Sequence, residues 1–221
     1  MAKTNRPSGK PKPKPRRPVA KAVAGGRSPA LIATFVAVGV LAAAIIGYAI
    51  YAGTRGGGPS PTISGLVDYR SSDPKMLTRN HVRGTVAYPV SPPVGGDHNP
   101  VWQDCMGDVY PAAIANENAV HSLEHGAVWI TYRPDLPADQ IETLAGKVRG
   151  TPYLFMSPFP GLDRPISLQA WGLQPKVDTA TDPRIEEFIR QFRITAAPER
   201  GASCSNGVTA TGTTPHHAPG G

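Results

Sequence analysis

An uninterrupted apolar run near the start of the chain decides which residues remain to build a folded domain. Residues 30–51 carry no charged side chain. As a helix rising about 1.5 Å per residue they span roughly 33 Å, enough for the hydrocarbon core of a bilayer. A buried core helix is disfavoured by this length. A cleaved signal peptide would have a shorter apolar region, about 7–15 residues, followed by a small-residue cleavage site. The run instead continues into a glycine-rich linker, residues 52–61, so the sequence predicts an uncleaved transmembrane helix.

The charges on either side of this run predict its orientation. Nine Lys and Arg residues and no acidic residue lie in residues 1–29, whereas only Arg55 follows the run closely. Cations favour the cytoplasmic side, so we expect a cytoplasmic N-terminus and an extracytoplasmic domain on the cell membrane. Residues 1–29 alternate proline with basic residues and cannot bury a core, so they are predicted to be a disordered tail.

The same cations explain the basic character of the whole chain. The formal net charge is +7, but without the nine tail cations 14 Lys and Arg face 16 Asp and Glu, a net charge of −2. The domain therefore offers no basic surface for nucleic acid. A protein partner in the cell envelope is a separate expectation. Residues 205–221, rich in Gly, Thr, Ala and Pro, are predicted to be a disordered C-terminal tail.

Residues 62–204 are predicted to form one exported α/β (α+β) domain. The apolar and turn patterns give the element order β-α-β-α-β-β-α, which is that of a thioredoxin-like fold. Thr151 and Pro152 stand where that fold has its cis-proline. The predicted elements are a strand at 86–88, a helix at 118–125 ended by Gly126, a strand at 128–132, a helix from 137, strands at 153–156 and 166–171, and a helix from 182.

The only two cysteines, Cys105 and Cys204, both follow the apolar run. Exported cysteine pairs are oxidised by default, so a disulfide is the favoured interpretation. It would close a loop of about 100 residues, an effect of about 4–5 kcal/mol on chain entropy. The alternative is that Cys105 is a metal ligand or a redox thiol, which leaves Cys204 without a role.

The segment His121-Ser122-Leu123-Glu124-His125 carries the chemistry that the sequence predicts. On a helix, His121 and His125 share one face, and imidazole nitrogen suits zinc or copper. The pattern His-x-x-Glu-His is also that of inverzincin proteases, in which the glutamate activates a zinc-bound water. Glu124 is therefore the candidate general base of a metal-dependent hydrolase. Against that reading, Gly126 ends the helix at once.

Three interpretations of the segment stay open at this point. His98, on the loop 95–100, is the favoured third metal ligand, with His81 or a reduced Cys105 as alternatives. The histidines could instead form a buried polar network, with Glu124 holding one imidazole. Such a network would leave a structural or interaction domain of the cell envelope without a metal.

Several stretches together resemble a bacterial family known as domain of unknown function 3105. They are PPVGGDHNPVWQDC at 92–105, ENAVHSLEHGAVWITY at 117–132, SPFPGL at 157–162 and AWG at 170–172. The resemblance covers residues 64–204. It implies a membrane anchor and one exported domain, and it implies no established activity. The segment after Cys105 is longer than the family pattern leads us to expect.

Overall fold

The computed structural model describes residues 29–55 and 63–217. These residues fall in two compact units, residues 1–58 and 59–221, and each unit is described by itself. The first unit contains helix α1, Pro29–Arg55. Across the described parts of the chain, no helix has the length and apolar character needed to cross a membrane. The transmembrane helix predicted for residues 30–51 is thus not supported. The predicted tail 1–29 lies outside the described residues except for Pro29, and the predicted linker 52–61 does so except for residues 52–55, which belong to α1.

The second unit is a mixed α/β domain, as predicted. Its strands are β1 Val67–Asp68, β2 Met106–Val109, β3 Val128–Tyr132, β4 Leu154–Pro158, β5 Ile166–Gln169, β6 Leu173–Gln174 and β7 Lys176–Val177. Its helices are α2 Tyr69–Ser72, α3 Asn116–Glu124, α4 Ala138–Val148 and α5 Pro183–Phe192, with a 3-10 turn at Pro74–Met76.

A five-stranded sheet in the order β2-β4-β3-β5-β7 organises the domain. Strand β4 runs parallel to β2 and β3, and β5 runs antiparallel to β3 and β7. Helices α3 and α4 make the two connections that parallel strands require. Strands β1 and β6 form a separate two-stranded antiparallel sheet.

The first strand of the sheet is not the one predicted. Residues 86–88 form no strand, and β2 lies between that segment and the helix predicted at 118–125, where the sequence predicts no strand. Gly107 obscures its pattern, because it has a φ of +98° and marks an irregularity in the pairing with β4. A Cβ on Gly107 would lie 2.4 Å from the backbone nitrogen of Gly150. The cis peptide bond among the described residues is Ser91–Pro92 rather than Thr151–Pro152, so the thioredoxin-like fold stays a prediction.

The two faces of the sheet bury different kinds of residue. One face packs against the apolar stripes of α4 and α5, represented by Leu144 and Phe188. The helix start predicted at Asp182-Pro183 is confirmed, because the Asp182 carboxylate accepts the Arg184 N–H. The other face, with Trp129 and its stacked neighbour Phe155, packs against α3 and the cysteines.

The C-terminal segment, residues 205–217, differs from the predicted disorder, because backbone hydrogen bonds hold it against the domain. Val208 forms a bridge with Gln103, and its carbonyl accepts the Asp104 N–H at 2.9 Å. A Cβ on Gly207 would lie 2.6 Å from the Asp104 nitrogen. Composition predicts disorder here because the segment has almost no apolar side chains, yet its backbone is anchored by partners distant in sequence.

Candidate metal centre

Helix α3 is short, polar and buried. Every residue from Glu117 to Glu124 is buried, although the helix carries two acidic and several other polar side chains. The predicted C-cap is confirmed: Gly126 has a φ of +100°, and its N–H and that of Ala127 bond back to the carbonyls of Leu123 and Ser122. The left-handed glycine ends the helix and directs the chain into β3.

Backbone groups of the preceding loop satisfy the polar side chains of α3. The Asn118 amide donates to the carbonyls of Val101 and His216, and the Ser122 hydroxyl donates to the carbonyl of Gln103 at 2.6 Å. Buried polar groups need such partners to avoid a desolvation cost of about 1–3 kcal/mol each. The loop and the C-terminal segment thus fix the orientation of the helix.

Three buried imidazoles share one hydrogen-bonding pattern: each Nδ1 lies within bonding distance of a backbone carbonyl. The bonds join His98 to Gly96 at 2.8 Å, His121 to Asn99 at 2.7 Å and His125 to Ser203 at 2.7 Å. A carbonyl oxygen only accepts, so a hydrogen lies on Nδ1 of each ring, and a ring in its neutral form presents the lone pair of Nε2. Metal-binding histidines are oriented by the same kind of bond from their second nitrogen.

Four side chains bring a potential ligand atom to one place. We call His81, His98, His121 and Glu124 the inner set; their ligand atoms all lie within 4.8 Å of one another. The imidazole centroids are 4.8–5.0 Å apart. His98, His121 and Glu124 are buried, whereas His81 is exposed. The inner set therefore has one open side, at His81.

Within the inner set, His98 and Glu124 make one short contact. The Nε2 atom of His98 lies 3.0 Å from Oε2 of Glu124, close enough for an ion pair. It makes no aligned hydrogen bond among the described residues, and the contact with His98 helps to lower the pKa of Glu124. Neighbouring ligand atoms around a tetrahedral zinc ion are roughly 3.3 Å apart, given bonds of about 2.0–2.1 Å. The contact thus has the separation of two ligands that face a common point.

Electrostatics favour the unprotonated forms of two donors of the inner set, His121 and Glu124. Burial lowers the pKa of His121 to about 3, and the nearby His125 adds to the effect. Burial acts to raise the pKa of Glu124, but His98, His121 and Arg79 outweigh it, so the pKa lies below its ordinary value. Arg79 reaches the second carboxylate oxygen at 3.8 Å from the exposed side. His121 therefore presents a neutral nitrogen and Glu124 an anionic oxygen, the forms that bind metals.

A second group of ligand atoms shares one residue with the first. We call His121, His125 and Glu199 the outer set; their ligand atoms also lie within 4.8 Å of one another. The Nε2 atom of His125 lies 3.8 Å from the Glu199 carboxylate, which is 54% exposed. The Trp102 ring lies beside both histidines, 5.0 Å from His125 and 5.7 Å from His121 between centroids.

The structure brings together the histidines that the sequence proposed as ligands, but it groups them differently. His98 and His121 share the inner set with His81, which the sequence offered only as an alternative, whereas His125 belongs to the outer set. Backbone bonds between the two segments hold His81 beside His98, with the His98 N–H bonded to the Asn80 carbonyl at 3.0 Å. Sequence reasoning missed Glu199, because it stands in a segment without a periodic or motif signal.

The cysteine pair is a disulfide, as predicted, and not a ligand. The Cys105 and Cys204 sulfurs are bonded, with Cα atoms 5.0 Å apart. No cysteine remains free. The bond fixes the segment that carries Ser203, and the carbonyl of Ser203 orients His125. Its role at the site is therefore to hold a ligand in position.

Comparison with known families identifies the class of this domain. A family model described as "Protein of unknown function (DUF3105)" matches residues 81–206, and the chain belongs to that family. The matched region begins at His81 and contains both ligand sets and the disulfide. No curated protein and no solved structure matches the chain.

Proposed function

We propose that this domain binds one first-row transition metal ion through the inner set, with zinc as the first candidate and copper as the second. The observation that carries the proposal is the convergence of the four ligand atoms, in which the buried Nε2 atom of His98 lies 3.0 Å from the Glu124 carboxylate without an aligned hydrogen bond. A buried polar atom in a purely structural network normally has a partner. A bound cation would give His98, His121 and Glu124 a shared one.

The donor chemistry supports a transition metal over calcium or magnesium. Three imidazole nitrogens and one carboxylate oxygen suit zinc and copper, whereas calcium and magnesium prefer oxygen ligands throughout. The neutral state of His121 favours binding further, since no proton has to leave before the nitrogen donates.

Glu124 fits the role of a ligand better than that of a general base. Its carboxylate lies among the other donor atoms of the inner set. Catalytic zinc sites use three protein ligands and keep a position for water, while sites with four protein ligands are closed. Whether the exposed His81 binds the ion decides between these cases. With His81 as the fourth ligand, the site suits metal storage or stabilisation of the fold. The hydrolase with Glu124 as base stays a prediction.

Metal content of the full chain, purified without a polyhistidine tag and loaded with zinc, tests the proposal. We expect one equivalent of zinc, and its loss in a His98→Asn/His121→Asn variant. Asparagine retains an N–H near the position of Nδ1, so the bonds to Gly96 and Asn99 survive while both Nε2 ligands disappear. A folded wild-type chain that retains no zinc or copper after loading contradicts the proposal and leaves a buried polar network.

We also propose that the domain lies outside the cytoplasm. Disulfides persist in oxidising compartments, which supports export of the region that contains Cys105 and Cys204. The nine cations before the apolar run support an N-terminus in the cytoplasm. The membrane anchor at residues 30–51 and an envelope partner stay predictions. Protease added to spheroplasts should degrade the domain, and protection of the domain would contradict the assignment.

A further inference from the structure

The two ligand sets share one residue, His121. This sharing limits how the two sets can bind metal. We propose that the outer set is a second metal position, which holds the ion before it passes to the inner set while His121 remains bound. This inference rests on the proposed function of the inner set. It adds a loading route and assigns roles to His125 and Glu199, which the inner set does not use.

The shared ligand makes the two positions mutually exclusive. The Nδ1 atom of His121 is committed to the Asn99 carbonyl at 2.7 Å, so Nε2 is the one ring nitrogen available to either set. A single lone pair binds one ion at a time. The two complete sets therefore cannot be occupied at once, and we expect the chain to bind one ion at a time.

The geometry of the outer set suits capture of a cation from solvent. The Glu199 carboxylate is 54% exposed, whereas the Glu124 carboxylate is 5% exposed. His125 is buried and oriented by its bond to Ser203, so its Nε2 faces Glu199 at 3.8 Å. An ion would thus meet an accessible anionic oxygen first and an oriented imidazole next.

Transfer between the positions is a ligand exchange over a short path. The imidazoles of His121 and His125 have centroids 4.5 Å apart, and those of His121 and His98 are 4.8 Å apart. The bonds from the ion to His125 Nε2 and the Glu199 carboxylate break, and bonds to His98 Nε2 and the Glu124 carboxylate form. An imidazole replaces an imidazole and a carboxylate replaces a carboxylate. The charge around the ion is unchanged, and no electron or proton moves.

The exposed side of His81 is the competing route to the inner set. An ion that enters there would reach His98 and Glu124 without meeting Glu199 at all. The two routes predict different sensitive residues, since the first depends on His125 and Glu199 and the second on His81. Rates of loading therefore separate them.

The test is stopped-flow loading of the metal-free full chain with cobalt(II), followed by its visible absorption in the bound state. Glu199→Gln removes the exposed anion, and His125→Asn removes Nε2 while keeping a donor for Ser203. Each should slow loading about tenfold, which corresponds to about 1.4 kcal/mol in the barrier, with the final stoichiometry still one. Glu142→Gln is the matched control, because Glu142 is an exposed glutamate on α4 that pairs with Arg149. This variant should load at the wild-type rate.

Each other outcome overturns a different statement. Unchanged loading in Glu199→Gln and His125→Asn, with slow loading in His81→Asn, means that the ion enters beside His81 and overturns the outer position. Two cobalt equivalents bound together overturn the shared use of His121. If the wild-type chain takes up neither cobalt nor zinc, the proposed function itself is wrong. That result differs from the two outcomes above, in which the chain still binds metal.

Discussion

Helices α3 and α5 lie in the same domain but are buried by opposite means. In α5 an apolar stripe, including Ile185 and Phe188, packs into the main core while charged residues face solvent. In α3 the polar residues are buried as well, and loop carbonyls satisfy them one by one. The packing of α5 needs only the removal of apolar side chains from water. The packing of α3 positions donor atoms to within bonding distance, which is what a metal site requires.

The largest expected effect concerns the disulfide that holds the α3 face together. In a Cys105→Ala/Cys204→Ala variant the free energy of unfolding should fall by about 4–5 kcal/mol, because the unfolded chain loses a cross-link across 99 positions. Urea unfolding of wild type and variant measures the difference. An unchanged free energy would show that backbone bonds alone hold the segment that carries Ser203.

A cavity on the opposite face should cost stability without affecting the site. Phe188 is fully buried in the main core, so Phe188→Ala should lower the free energy of unfolding by about 3–5 kcal/mol. Zinc content of the folded variant should equal that of wild type, because α5 contributes no ligand. Loss of zinc at a temperature where the variant is still folded would contradict the separation of the two faces.

Two substitutions at one position of α3 separate packing from polar satisfaction. His121→Leu leaves the buried Asn99 carbonyl without its donor and should cost about 1–3 kcal/mol in metal-free protein. His121→Asn keeps a donor and should cost less, although both variants lose the metal. Unfolding in the presence of a chelator measures the difference, and equal stabilities would mean that the bond to Asn99 contributes nothing.

The smallest expected effect lies at the edge strand β2, away from the ligand sets. Burial, together with Asp104, raises the pKa of Asp108 from 3.8 to about 6. The folded chain then holds a proton more tightly than the unfolded chain, so stability should fall as pH rises from about 4 to 6. Asp108→Asn should remove this slope. It should also stabilise the protein at pH 7 by about 1 kcal/mol or less, since the group is partly exposed. A slope identical to that of wild type would contradict the assignment.

The contrast between the helices also explains what the sequence could reveal. The helices predicted from residue 137 and from residue 182 rest on local signals, and both are confirmed as α4 and α5. The i, i+4 spacing on α3 indicated two histidines on one face. It could not indicate that His121 belongs to both sets while His125 belongs to the outer set alone.

Long-range backbone contacts account for the rest. His98 and His81 come together because their segments pair through backbone bonds, and Glu199 reaches the site because its N–H bonds to the Glu124 carbonyl at 3.2 Å. Neither contact depends on a side-chain pattern. Composition likewise misjudged residues 205–217, whose anchors are the backbone of Asp104 and the side chain of Asn118.

Nitrogen NMR of the imidazoles in the full chain, before and after zinc, tests the central claim most directly. The account predicts that His98, His121 and His125 all carry the hydrogen on Nδ1 in metal-free protein. Zinc should then shift the Nε2 resonances of His98 and His121 most strongly. Hydrogens on Nε2 of these rings, or resonances that zinc leaves unchanged, would contradict a metal site built by the buried polar helix.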